Sequence, residues 1–133
     1  MKHTRLAALG LLLLGAACSH SARRVRVDNS PQVTVVVHSD IDQSVAVRSH
    51  SMERFEDGRM GVRLLLESSK GRDLSVIVQT NWFNDRGGIV EAGQVRTVVL
   101  PSAAPTLVED ASMGPEATAC TVSVRPSSTR RRN

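Results

Sequence analysis

The residues able to do chemistry are few and scattered. His38, Asp40 and Asp42 are the one polar cluster with ligand-like side chains. Zinc takes three or four ligands from His, Cys or carboxylate at fixed geometry. Three residues on one loop, with no fourth nearby, fall short of that, and a calcium loop needs more oxygens and a glycine turn. The cluster reads as a solvated inter-strand loop, and no metal site is expected. Ser39 beside His38 lacks the third, orienting group of a nucleophilic triad. His50 has the opposite strand parity to Val47 and Ser49 and reads as a surface histidine. Asp85 and Glu91 flank a turn, where paired carboxylates are ordinarily solvated. Gly87-Gly88 lacks the strand–helix context of a phosphate loop. Neither a cofactor nor an enzymatic activity is expected.

Two cysteines remain, Cys18 and Cys120. Lys2, His3 and Arg5 precede an apolar run over 6–17, too short to cross a bilayer as a helix. Gly15, Ala16 and Ala17 then lead into Cys18. This is the layout of a secretory signal peptide over 1–17. With the cysteine in that place it also resembles a bacterial lipobox, although Gly15 stands where leucine is usual and Leu14 lies one residue further back. That resemblance implies that cleavage leaves Cys18 as the first residue, with a diacylglyceryl group on its thiol. In the lipoproteins of enterobacteria an Asp after the cysteine retains the protein in the inner membrane. Residue 19 is Ser, so the resemblance implies the periplasmic face of the outer membrane. The alternative is an ordinary signal peptide cut after Ala17. A lipidated Cys18 leaves Cys120 without an intrachain partner, whereas a free Cys18 could close a disulfide with it. Cys120 opens an apolar-alternating run and reads as a buried, inert thiol.

Charge is distributed unevenly. Removal of Lys2 and Arg5 with the signal peptide leaves fifteen basic residues against thirteen acids. Seven of the fifteen lie at the ends: Arg23, Arg24, Arg26, Arg125, Arg130, Arg131 and Arg132. The body between is therefore acidic. A nucleic-acid binder would carry a basic patch on its folded body, with aromatics to stack bases. With one Trp, two Phe and no Tyr, and with export, nucleic acid is not an expected partner. The basic ends are either solvated tails or are drawn to the anionic phosphates of head groups or wall polymers.

The elements behind these residues are strands. The stretch 74–100 reads as a strand, a tight loop and a returning strand. Leu74, Val76, Val78, Thr80 and Trp82 alternate with Ser75, Gln79 and Asn81, a period of two with β-branched and aromatic enrichment. Asn84-Asp85-Arg86-Gly87-Gly88 supplies turn chemistry, because Asn, Asp and Gly tolerate left-handed backbone. Val95, Thr97 and Val99 begin the return. Trp82 stands on the apolar face as the expected core anchor. Further strands are expected at 33–37, 44–51, 60–67 and 118–125, with 60–67 and 73–83 forming a hairpin through a loop of about five residues. The segment 106–113 is either a short helical turn or an irregular edge strand. Strand count, turn spacing and size point to an all-β, immunoglobulin-like antiparallel β-sandwich of about seven strands. The chain divides into signal peptide 1–17, lipidated N-terminus and polar tether 18–30, sandwich 31–126 and basic tail 127–133.

A lipobox, a short tether and a hairpin ending in Asn81-Trp82-Phe83-Asn84-Asp85-Arg86-Gly87-Gly88 resemble the YcfL-like bacterial lipoproteins. In that family the corresponding strand ends in an aromatic pair, then Asp or Asn, then a turn glycine. The resemblance covers about 45–124 and implies a small exported sandwich of unassigned biochemical function. A gene neighbourhood often shared with a lipoprotein activator of a penicillin-binding protein points to the cell-wall synthesis machinery. The expected role is a non-catalytic accessory module that binds an envelope protein. The alternative is an assembly factor that adds a strand to its partner. The expected contact residues are Phe83, Asn84, Asp85, Arg86 and Gly87, since loops on a rigid scaffold carry binding groups. Phe83 has the opposite parity to Trp82. It either forms an outward patch beside the loop or is covered by 101–117.

Overall fold

The computed structural model of the chain describes residues 26–29 and 32–127. The expected signal peptide, Cys18 and the residues from 128 on lie outside the described residues. Nine strands follow in order: β1 Arg26–Asn29, β2 Val33–Val37, β3 Val45–Arg54, β4 Met60–Ser68, β5 Leu74–Phe83, β6 Ile89–Ala92, β7 Arg96–Leu100, β8 Thr106–Ala111 and β9 Ala119–Pro126. One sheet runs β1-β2-β9-β5-β6, with β7 also on β5, and the other runs β3-β4-β8. The chain is thus an all-β sandwich. β2 and β9 pair in parallel, while every other pair is antiparallel.

The period-2 patterns set which faces meet. Val33, Val35 and Val37 are buried on β2, and Cys120, Val122 and Val124 on β9. These six are direct partners in the parallel ladder. β5 continues the same rows, with Trp82 opposite Cys120, Thr80 opposite Val122 and Val78 opposite Val124. The other sheet offers Val45, Met60, Val62, Leu64 and Leu66. At about 25 cal/mol per Å² removed from water, this Val- and Leu-rich layer supplies the main drive to fold. All core residues fall within the range 33–124, so a chain beginning at residue 19 contains the whole core.

Four expectations change. The pair 60–67 and 73–83 is not a hairpin, because β4 and β5 lie in different sheets. A turn signal reverses the chain but does not say whether the next strand lies beside the last or across the core. Both strands bury an alternating face, and those faces meet across the sandwich. Gly71 (φ 63°) and the Ser68 hydroxyl, which donates to the Arg72 carbonyl at 2.7 Å, shape the arch between them. Second, the segment 106–113 contains β8, a regular edge strand paired to β4. Third, there are nine strands in place of about seven. β1 lies in the stretch assigned to the tether, and the return from the tip is split into β6 and β7. The split falls at Gly93, whose N–H donates to the Thr80 carbonyl at 2.7 Å; a Cβ there would collide with that same oxygen.

The fourth change concerns His50. A bulge at Arg48 shifts the β3 register between Val47 and Ser49, so one extra residue reverses the parity of the strand. His50 then pairs with buried Leu64, and Met52 with Val62. His50 is therefore partly buried on the core side, and its Nδ1 has no hydrogen-bond partner.

Candidate functional site

The tip of the β5–β6 hairpin is built around Asn84. Its Oδ1 accepts the N–H groups of Arg86 (3.1 Å) and Gly88 (2.8 Å). Its backbone N–H donates to the Gly88 carbonyl, and its carbonyl accepts from Gly87. Gly87 takes φ 76°, a conformation that costs a residue with a Cβ but not glycine. Asn84 and Gly87 are thus occupied in holding the loop. Of the five expected contact residues, Asp85 and Arg86 project into solvent, and Phe83 is partly buried on the outer face of its sheet, opposite Trp82. Thr118 donates its N–H to the Phe83 carbonyl, which brings the end of the 112–118 segment beside the tip.

The apolar surface lies next to this tip. All six exposed large hydrophobic residues among the described residues fall between 89 and 113: Ile89, Val90, Val95, Val99, Leu107 and Met113. They sit on β6, β7, β8 and their connections, at one lateral edge of the sandwich. Polar bonds tie that edge together. Arg96 on β7 donates to the Glu109 carbonyl of β8 at 2.8 Å. The Glu91 carboxylate of β6 accepts the Met113 N–H at 2.7 Å. β6 and β7 pair only with β5, and β8 only with β4, so both sheets present an open edge here. The pattern of apolar residues after the glycines was readable in the sequence. That they converge on one edge was not, because β8 belongs to the other sheet.

The remaining polar candidates do not assemble into a reactive centre. His38 and Asp40 are neighbours in a turn at 3.5 Å, and no group of three or more potential metal ligands occurs among the described residues. Asp85 is exposed, whereas the Glu91 carboxylate is taken by a backbone N–H, so the two are not an acid–base pair. An open groove of about 360 Å³ on the second sheet is lined by Glu53, Phe55, Gly61, Arg63, Glu109 and Asp110 among others. Arg63 binds Glu109 at 2.8 Å and lies 3.6 Å from Glu53, so two of its carboxylates are already neutralised. Cys120 is a free thiol, 2% exposed beneath Trp82. Burial, with a smaller contribution from the Asp110 carboxylate, pushes it up to about 12. It is neither a nucleophile nor a ready disulfide partner at neutral pH.

These features define a small two-sheet β-sandwich with an apolar lateral edge. No protein-family model and no curated protein matches the chain. Solved bacterial structures share the fold. The crystal structure of Campylobacter jejuni cj0090 superposes with a TM-score of 0.62 at 13% identity, covering 69% of this chain and 96% of that one. The crystal structure of a DUF1425 family member from Shewanella sp. pv-4 gives a TM-score of 0.57 at 16% identity, covering 81% and 94%. At such identities the likeness is one of fold.

Proposed function

We propose that the protein is a lipid-anchored accessory module of the bacterial cell envelope, related to the YcfL-like lipoproteins, that binds another envelope protein through its β6–β7–β8 edge. The observation that carries this reading is that all six exposed large hydrophobics among the described residues, Ile89, Val90, Val95, Val99, Leu107 and Met113, fall on β6, β7, β8 and their connections, with Val99 on the outer face of one sheet and Leu107 on that of the other. Single exposed apolar residues are ordinary, but their concentration on the strands of one open lateral edge is the arrangement a docking edge offers. The hairpin tip, with Phe83, Asp85 and Arg86, forms one end of it. Such a role needs no catalytic group. The anchor is Cys18, and the location is the periplasmic face of the outer membrane.

Pull-down from intact envelopes with wild type and with a Val95→Asp/Val99→Asp variant tests the surface. Loss of the captured partner with an unchanged melting curve is the expected outcome, and retention of the partner refutes it. Metabolic labelling with a fatty acid tests the anchor. Wild type should incorporate label and Cys18→Ala should not; an unlabelled wild type refutes lipidation. A second reading, strand addition, is favoured by one observation: β7 is an open edge and bears no charge from Thr97 to Leu100. Photo-crosslinkers separate the two. Strand addition confines cross-links to β7, whereas surface docking also yields them at Ile89 and Leu107.

A further inference from the structure

The two strands at the apolar edge differ in how much unpaired backbone they show. On β5, the Ser75 and Phe83 carbonyls accept from Ser127 and Thr118 on the β9 side, whereas the Thr80 carbonyl accepts from Gly93 on the β6–β7 side. Odd-numbered residues of β5 therefore bond to β9 and even-numbered ones to β6 and β7. Arg96, Val98 and Leu100 lie opposite Val78, Val76 and Leu74 and spend their backbone groups there. Thr97 and Val99 direct their N–H and C=O groups outward, and no described residue bonds to them.

The other edges are guarded. On β8 the Glu109 carbonyl takes the Arg96 guanidinium and the Ala111 N–H is taken by the Asp110 carboxylate, both at 2.8 Å. β1 carries Arg26 and Asp28; β3 carries Arg48, Glu53 and Arg54 and is bulged at Arg48. Charges and bulges are the usual defence against edge pairing. β7 has a single charge, Arg96, and that side chain is held on β8.

We infer that β7 pairs antiparallel with β7 of a second copy of this chain, about a two-fold axis at Val98. Such an interface uses the same patch on both subunits. Thr97 then stands opposite Val99 of the partner subunit, and Val99 opposite the partner's Thr97. All four residues offer outward backbone groups, so each pair exchanges both N–H···O bonds. Neighbouring registers are worse. An axis at Val99 sets Thr97 against the partner's Pro101, which has no N–H. An axis at Thr97 brings the two Arg96 residues close together, whereas at Val98 they are about 13 Å apart along the ladder, beyond the Debye length of about 8 Å. The remaining charges are complementary. Arg96 comes opposite the partner's Leu100. Leu100 pairs with Leu74, and the adjacent, exposed Asp73 holds the Ser102 N–H at 3.0 Å. The cationic end of each β7 thus meets the anionic end of the other.

The second sheet fits the same axis. Glu91 meets Met113 and Arg96 meets Glu109, so β7 and β8 run in opposite directions and Val98 is level with Leu107. Pairing at Val98 therefore brings the two β8 strands together at Leu107, which is 55% exposed, as is Val99. The inference rests on the open β7 edge of the strand-addition reading and names its occupant. Ile89, Val90 and Met113, nearer the tip, stay exposed for an envelope partner.

Sedimentation velocity of residues 19–133, from low to high micromolar concentration, tests the interface. Wild type should pass from monomer to dimer. Val99→Pro removes an outward N–H and no internal bond, which an edge strand tolerates; it should weaken the dimer about tenfold or more. Thr97→Lys, on the exposed outer face, leaves the β5–β7 ladder alone and should weaken it as well. In a Cys120→Ala background, Val98→Cys sets two thiols across the axis within disulfide reach and should cross-link under copper–phenanthroline, whereas Val95→Cys should not. A wild type that stays monomeric, unchanged dimers in both Val99→Pro and Thr97→Lys, or equal cross-linking of the two cysteine variants would overturn the inference. A monomer that still captures an envelope protein through β7 would overturn it and leave strand addition standing with another occupant. A dimer that captures none would support it and remove the envelope partner.

Discussion

Replacing Trp82 with alanine should cost about 3–5 kcal/mol, enough to unfold a marginally stable domain. Trp82 is completely buried, between Cys120 and Glu91 in the ladder. A tryptophan side chain removes roughly 200 Å² from water, which at about 25 cal/mol per Å² is about 5 kcal/mol. The indole Nε1 has no hydrogen-bond partner, and a buried unpaired donor returns about 1–3 kcal/mol of that. The cavity left under two sheets raises the cost again, because the surrounding strands relax only in part. The net stays in the stated range. Trp82→Phe isolates the terms: it keeps most of the packing and removes the unpaired N–H, so its cost should stay below about 1.5 kcal/mol. Urea melts of residues 19–133 followed by far-ultraviolet circular dichroism give both values, since the tryptophan signal itself is lost. A loss under about 1 kcal/mol for Trp82→Ala would mean that the indole does not anchor the core.

Gly93→Ala should cost about 1–3 kcal/mol, because the new methyl meets the Thr80 backbone carbonyl and the β6–β7 joint must shift; thermal melts would show no change if the joint tolerates it. The Cys120 thiol is protonated in the fold up to about 12, against an ordinary value of 9.0. Its contribution is therefore fully present below about pH 9 and is lost as pH rises towards 12, at roughly 1.4 kcal/mol per unit. Wild type should lose stability relative to Cys120→Ala over that window in paired urea melts, and parallel pH curves would contradict the buried-thiol assignment. Phe83→Ser should melt close to wild type and weaken capture of the envelope partner, because Phe83 stands on the outer face; unfolding of the variant would make Phe83 a core residue instead.

The sequence alone was sufficient for much of the fold, and the reason is local. Period-2 alternation in 33–37, 60–67, 74–83 and 118–125 fixes strands and their buried faces, because the strand repeat is a property of each residue's own backbone. The 84–88 turn was equally legible, since Asn84 and Gly87 act within five residues of each other. Trp82 and Cys120 were readable as core for the same reason.

What remained depends on partners far apart in the chain. Sequence could not tell that β4 and β5 face each other across the core in place of pairing, because a reversal looks the same in both cases. It could not show the Arg48 bulge that turns His50 inward, since a bulge is defined by the opposing strand. Nor could it show the parallel β2–β9 pair, which is formed by residues almost ninety positions apart. The apolar edge has the same origin. Ile89, Val95 and Leu107 come to the same lateral edge only when β6 and β7 close one sheet and β8 the other, and that placement follows from how the whole core closes.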